Sequence, residues 1–188
     1  MRGMEPARDA RDPTVRDGSV SPTAADPNLR ERTIRFFDPV ASADRVKAQS
    51  GLGALRAIAA GEIPKAPIAA LMNIDIIEVG DGRVVFEGTP DEPHYNPLGI
   101  VHGGFAMTLF DSALGCAIHT KLPQGVGFVS IDVNVRFIRG LTAATGTVRC
   151  EAHAVHVGRT TAVAEATMVD AQGRLLGTAS TACAIIRP

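Results

Sequence analysis

Tryptophan is absent from this chain, tyrosine occurs once, and aromatic residues make up only 4% of the 188 positions. Little is left for the stacking platforms that hold single-stranded nucleic acid. An excess of one charge is also missing. Nineteen basic residues face 20 acidic ones, for a net charge of −1, which argues against a general nucleic-acid or anionic-membrane role. The three cysteines, Cys116, Cys150 and Cys183, are odd in number and scattered, with no paired metal spacing. Each lies in an apolar segment, so they read as small core residues in a reducing, cytoplasmic setting. His153 and His156 are three apart in a strand pattern and are expected on opposite faces, unable to share a metal. His94 and His119 have no partner pattern either, so no catalytic metal is expected. Internal repeats, a Walker-type loop and a dinucleotide glycine pattern are likewise absent. No apolar run follows the early arginines to serve as a secretory signal.

Hydrophobic residues account for 45% of the chain, enough for a real core. Residues 1–40 are rich in Arg, Asp, Pro, Ser and Ala and are expected to form a disordered polar arm, with Phe36 and Phe37 as its anchor. Residues 41–67 read as a helical extension, a single helix over 41–60 with Val46, Leu52, Leu55, Ile58 and Ala59 as its apolar stripe. Gly61 is placed to end it, and Pro64 and Pro67 to prevent its resumption. Residues 68–188 form the main domain. After a helical turn over 68–72, strands are expected over 74–79 and 83–89, joined by the hairpin signal Gly80-Asp81-Gly82. Further strands follow over 129–137, 145–157, 160–170 and 175–186. In the first of these, Val129, Ile131, Val133, Val135 and Phe137 alternate with Ser130, Asp132, Asn134 and Arg136. Two strands, one long helix and four more strands indicate an α+β fold in which an antiparallel sheet wraps a buried helix.

The stretch from Asn96 to Asp111 organises the rest. Pro97 and Gly99 make its first half a loop. From Gly103, the residues Phe105, Leu109, Ala113 and Ala117, joined by Met107, Phe110 and Leu114, repeat at helical spacing to about Ile118. The run from Leu98 to Ile118 is long enough to suggest a membrane span, but His102, Asp111 and the glycine start make it a buried helix. Gly103 and Gly104 stand where amides lack intrahelical partners and the helix dipole is positive. With no side chain in the way, a carbonyl oxygen can approach them, as in an oxyanion hole. Asp111 is the one ionised side chain on this helix, a structural carboxylate or else a general base or nucleophile. It lies eight residues past Gly103, roughly 12 Å along the axis. If both act on one carbonyl, the carboxylate must come from a second subunit, and the protein is then a homo-oligomer with shared sites.

At these residues the sequence resembles the hotdog-fold acyl-CoA thioesterases of the phenylacetate-degradation type. The matching features are Asn96, Gly99, His102-Gly103-Gly104, Leu109-Phe110-Asp111 and Val129-Ser130-Ile131-Asp132-Val133-Asn134. The resemblance runs from about Ile68 to Ile186. It implies a curved sheet of about six strands around a long central helix, and larger sheets formed by dimerisation. It further implies that Gly103 supplies the oxyanion amide and that Asp111 of the opposing subunit attacks the carbon or activates water. Asn96 and His102 would position thioester or water, and Ser130 would support the carboxylate.

The expected reaction is therefore hydrolysis of an acyl-CoA thioester to acid and CoA. No cofactor is expected, since CoA is part of the substrate, and neither nucleic acid nor membrane is an expected partner. Gly104, with Arg136, Arg139 and the turn Val157-Gly158-Arg159-Thr160, is the candidate set for binding substrate and CoA, the turn being favoured for its free amides and its guanidinium. Two other readings compete. A 3-hydroxyacyl-thioester dehydratase would use His102 as its base. A non-catalytic acyl-CoA-binding hotdog module would have lost the carboxylate at 111, which this chain retains.

Overall fold

The computed structural model describes residues 26–187. The chain divides into two units, residues 1–33 and residues 34–188. Of the first, the described part is a turn in which the Asp26 carboxylate accepts the Asn28 N–H at 2.8 Å. The disordered arm expected over residues 1–40 therefore falls, up to residue 25, outside the described residues.

The second unit opens with three helices, α1 (Pro39–Lys47), α2 (Gly51–Ala59) and α3 (Pro67–Met72). Helix α1 begins inside the stretch expected to be an arm, because Asp38 caps it by accepting the Val40 N–H at 2.8 Å and Pro39 occupies its first turn. Phe36 and Phe37, expected as an anchor, are 63% and 69% exposed. The single helix expected over 41–60 is broken at Ser50, which caps α2 by accepting the Gly53 N–H. The break lets Gly51 donate to the Leu122 carbonyl at 3.0 Å. A Cβ at Gly51 would stand 1.8 Å from the His119 carbonyl oxygen, so only glycine permits this docking. Pro67 does not prevent a helix. It starts α3, where its missing N–H costs nothing.

Strands β1 (Ile74–Gly80) and β2 (Arg83–Gly88) form the hairpin, and α4 (Gly103–His119) carries the chain beneath the sheet to β3 (Gly127–Phe137). Strands β4 (Val148–Val157), β5 (Thr161–Val169) and β6 (Leu175–Ile186) complete a six-stranded antiparallel sheet in the order β1-β2-β4-β5-β6-β3. This is the expected hotdog arrangement, with β3 at one edge. Helix α4 is the core. Phe105, Leu109, Phe110, Ala113, Leu114, Ala117 and Ile118 are all buried against the sheet, the larger of them each contributing about 1.5–3 kcal/mol by leaving water. Met107, expected in the same apolar stripe, is 43% exposed. It sits one turn before Asp111 on the helix face that the sheet does not cover.

Two bulges overturn the strand faces read from alternation. Strand β3 slips by one residue at Ile131, so that Ser130 pairs with Cys183 and Asp132 with Ala182. Phe128 and Ser130 therefore point to the helix side together with Val133, Val135 and Phe137, whereas Val129 points outward. Strand β4 slips at Val155, with His153 opposite Glu165 and His156 opposite Val163. His153 and His156 thus share the outer face, contrary to expectation. Among the described residues no group of three or more His, Cys, Asp or Glu is arranged to hold a metal, and no helix is long and apolar enough to cross a membrane.

Candidate active site

At the start of α4, His102 is the N-cap, and its imidazole Nδ1 accepts the Gly104 N–H at 2.8 Å. An amide can only donate, so the neutral ring carries its proton on Nε2, on the far side from the cap. A Cβ at Gly104 would stand 2.9 Å from that Nδ1, which is why the cap needs a glycine there. The Gly103 N–H has no acceptor among the described residues. It lies beneath the Phe137 ring, whose Cζ is 3.1 Å from where a Gly103 Cβ would be.

The loop before the helix is tied down through Asn96. Its side-chain oxygen accepts the Leu98 N–H at 2.9 Å and the Ile100 N–H at 3.4 Å, while the His94 carbonyl accepts the His102 N–H at 2.7 Å. Only the Asn96 amide hydrogens remain to face a ligand. Asn96, His102, Gly103, Phe137 and Arg139 line one cavity of about 360 Å³. It combines an unpartnered amide, two side-chain donors and one guanidinium, and that guanidinium also donates to the Leu175 carbonyl.

Two turns along the helix, a second cavity of about 430 Å³ is lined by Asp111, Ser130, Met107 and Thr108. The Ser130 hydroxyl donates to Asp111 Oδ1 at 2.9 Å. The β3 bulge makes that contact possible, since it turns Ser130 inward without turning Val133 outward. Asp132 latches the bulge by accepting the Ala182 N–H at 3.1 Å and the Asn134 side-chain amide at 3.0 Å. Asp111 is exposed and has no cationic partner among the described residues. Cys116, just beyond it on α4, is no rival nucleophile: burial pushes its thiol up to about 12, and the Asp111 charge adds to the shift.

The structure thus keeps the Gly103 and Asp111 groups apart within one chain. The CoA candidates are spread further. Arg136 lies on the outer face of the sheet, over a cavity shared with Glu151, His153 and Glu165, away from both groups. The Val157–Thr160 turn is fastened to the end of β6, where the Ile185 N–H reaches the Thr160 carbonyl at 2.9 Å. Its Gly158 N–H is already committed to the Thr161 carbonyl at 2.8 Å, so that expected free amide is taken. Phe137, beside Gly103, pairs with Gly177 at the opposite end of β6. Of the four CoA candidates, Gly104 adjoins Gly103 with its N–H already given to His102, and Arg139 lines the same cavity as Gly103, whereas Arg136 and the turn lie elsewhere. Phe137 and Thr108 escaped the sequence reading. Thr108, whose hydroxyl donates to the Gly104 carbonyl at 2.9 Å, stands three residues before Asp111, a helical spacing that marks a shared face.

Residues 98–176 match the family model of the thioesterase superfamily. A candidate esterase of Halobacterium salinarum is 42% identical over 107 residues, covering 54% of this chain and 69% of that protein. Human acyl-coenzyme A thioesterase 13 is 28% identical, over 56% of this chain and 75% of its own length. Among solved structures, the Escherichia coli PaaI protein from the phenylacetic acid degradation operon superposes with a TM-score of 0.63 at 25% identity, covering 73% of this chain and 95% of that one.

Proposed function

The chain belongs to the thioesterase superfamily, and on that footing we propose that it hydrolyses acyl-CoA thioesters in sites shared between two copies. The observation that carries this reading is the separation of two complementary groups along α4, one at its first residue and one at its middle. One presents the unpartnered Gly103 N–H and the His102 Nε2–H. The other presents a carboxylate held by Ser130 and unneutralised by any cation among the described residues. The carbonyl oxygen of the substrate accepts from Gly103, where the helix dipole favours the charge that develops. Asp111 of the second copy, as general base or nucleophile, drives attack on the carbonyl carbon. In the general-base course it takes a proton from water, the C–S bond breaks as the tetrahedral oxyanion collapses, and that proton passes to the departing thiolate.

Strand β3 supplies the surface for a second copy. It is an edge strand of 11 residues, with Val129 52% and Ile131 62% exposed. Unpaired edges of that length are normally covered. Coenzyme A enters as part of the substrate, with Arg139 the cation best placed beside the Gly103 cavity. The dehydratase alternative is disfavoured, because the His102 nitrogen bound to the Gly104 amide cannot act as a base while the cap is intact.

Thiol release from a panel of aryl-, short- and medium-chain acyl-CoAs tests the reading. The native protein should turn over at least one of them, and Asp111→Asn should lower kcat by about two orders of magnitude or more. Equal activity in the variant would overturn the mechanism.

A further inference from the structure

A further cavity of about 640 Å³ lies where α1 and α3 meet the loop before β3 and the end of β6. Small-molecule sites have volumes in that range. It shares no lining residue with the Asp111 cavity or the Gly103 cavity. Phe128 stands between it and Asp111, its ring lying on Gly115, 2.7 Å from where a Cβ would be, so that ring and helix are in direct contact. The side of the cavity formed by residues 39–67 also lies outside the segment matched by the family model.

The roof is α1. Pro39, Ala43 and Val46 recur at i, i+4 and i+7 and all line the cavity, yet no residue of that helix is buried. A helix of nine residues draws its stability from packing rather than propensity, so α1 gains from whatever fills the space beneath it. The charge is of one sign. Lys47 and Arg187 line the cavity and no acidic residue does. Both are exposed and so stand at its mouth. Lys47 has no acidic partner among the described residues. Arg187 commits only its Nε–H there, to the Arg159 carbonyl at 3.3 Å, and keeps its terminal N–H groups. Uncompensated cations beside apolar walls attract an anion. The walls themselves are rich in rings, with Pro64 and Pro67 on one side and Phe128 meeting His119 edge to face at 5.7 Å. Burial holds the His119 imidazole below its ordinary range, so at neutral pH it adds no charge. Such walls suit a flat aromatic body, which packs on rings by stacking or by its edge.

We propose that this cavity is a second small-molecule site, separate from the thioesterase site, and that its ligand is an aromatic carboxylate. The rings hold the flat body. Lys47 and Arg187 hold the carboxylate at the mouth, the guanidinium through its terminal N–H groups. The ligand completes the packing of α1, so occupancy of the site and order of that helix are linked.

The test uses the full chain, with 2-naphthoate as the probe and 2-naphthylmethanol as its neutral counterpart. The chain has no tryptophan, so naphthalene fluorescence reports binding directly. Each exposed ion pair adds up to about fivefold, and the native protein should bind naphthoate at least about fivefold tighter than the alcohol. The double variant Lys47→Gln/Arg187→Gln should erase that preference and leave the alcohol's affinity unchanged. Ala43→Phe, which fills the cavity from α1, should weaken both probes by at least about tenfold. Thermal melting checks each variant, and the double variant, confined to exposed side chains, decides the matter if Ala43→Phe fails to fold. Hydrogen exchange locates the probe: naphthoate should slow exchange of the amides in residues 39–47, and saturating ethyl-CoA should not displace it. Absence of naphthoate binding, equal affinity for the two probes, or a preference that survives in the double variant would overturn the inference. So would protection confined to residues 103–111, which would put the probe in the thioesterase site. Protection of residues 39–47 that follows protein concentration rather than naphthoate would give the cavity to a second copy and overturn it too. None of these outcomes depends on thiol release, so the thioesterase reading stands or falls separately.

Discussion

Position 103 separates an oxyanion role from a merely structural one, because it is the first residue of α4. Proline is well tolerated at a helix's first position, where its lost N–H had no helical partner. His102 has φ −62° and ψ 138°, a conformation that the residue before a proline readily adopts. Gly103→Pro therefore deletes the proposed oxyanion donor and leaves the helix start in place, with only the Phe137 ring, 3.1 Å from the new Cβ, obliged to yield. Loss of one such donor should lower kcat by about 10²–10³, with the thermal melting curve close to native. An unchanged kcat in steady-state assays would remove Gly103 from the mechanism. At this scale the sequence was informative where chemistry depends on chain spacing. The glycine pair at the helix start and the carboxylate eight residues beyond Gly103 could both be read from the helix period, whereas the capping bond of His102 to Gly104 could not. Arg136 and Gly158 could not, because their surroundings depend on the side of the sheet and on the bonds within a turn.

Among the elements, β3 departs furthest from its sequence pattern. Unbroken alternation from Val129 to Phe137 implies one polar face and one apolar face, with Ser130 on the face of Asn134 and Arg136. The bulge at Ile131 breaks that rule and places Ser130 with the core-facing residues. Alternation carries no mark of such a slip, since either register satisfies a period of two. The bulge at Val155 in β4 was equally invisible, as was the break at Ser50, which depends on a contact with Leu122 some 70 residues away. The long helix, the order of the six strands along the chain and the hairpin were legible, because periodicity and turn residues are local. Asp132 gives the bulge a test. Asp132→Ala removes the acceptor for the Ala182 N–H and the Asn134 amide, which should cost about 1–2 kcal/mol. For a domain of this size that lowers Tm by roughly 2–8 °C. Ser130 would lose its fixed position, so kcat should fall severalfold while KM changes little. A variant with a native Tm and native kcat would show that the latch is dispensable.

For the whole molecule, the proposed mechanism makes assembly part of the chemistry. Gly103 and Asp111 stand roughly 12 Å apart along one rigid helix, too far for one thioester carbonyl to meet both. If two copies pair by a two-fold axis, each contributes its Gly103 amide to one site and its Asp111 carboxylate to the other. Two inactive variants should then repair each other. Gly103→Pro retains a good carboxylate, and Asp111→Asn retains a good oxyanion end. A hybrid of the two has one site with both defects and one site with neither. After denaturation and refolding of an equal mixture, half of the dimers should be hybrids, and activity should return to about one quarter of native. Each variant refolded alone should stay inactive. Sites contained within one chain would give no recovery at any mixing ratio, because every copy would still carry its own defect. The recovered fraction, read by thiol release as the ratio is varied, should follow the product of the two mole fractions and peak at the equal mixture. That curve distinguishes a shared site from leakage by either variant, which would vary linearly with composition.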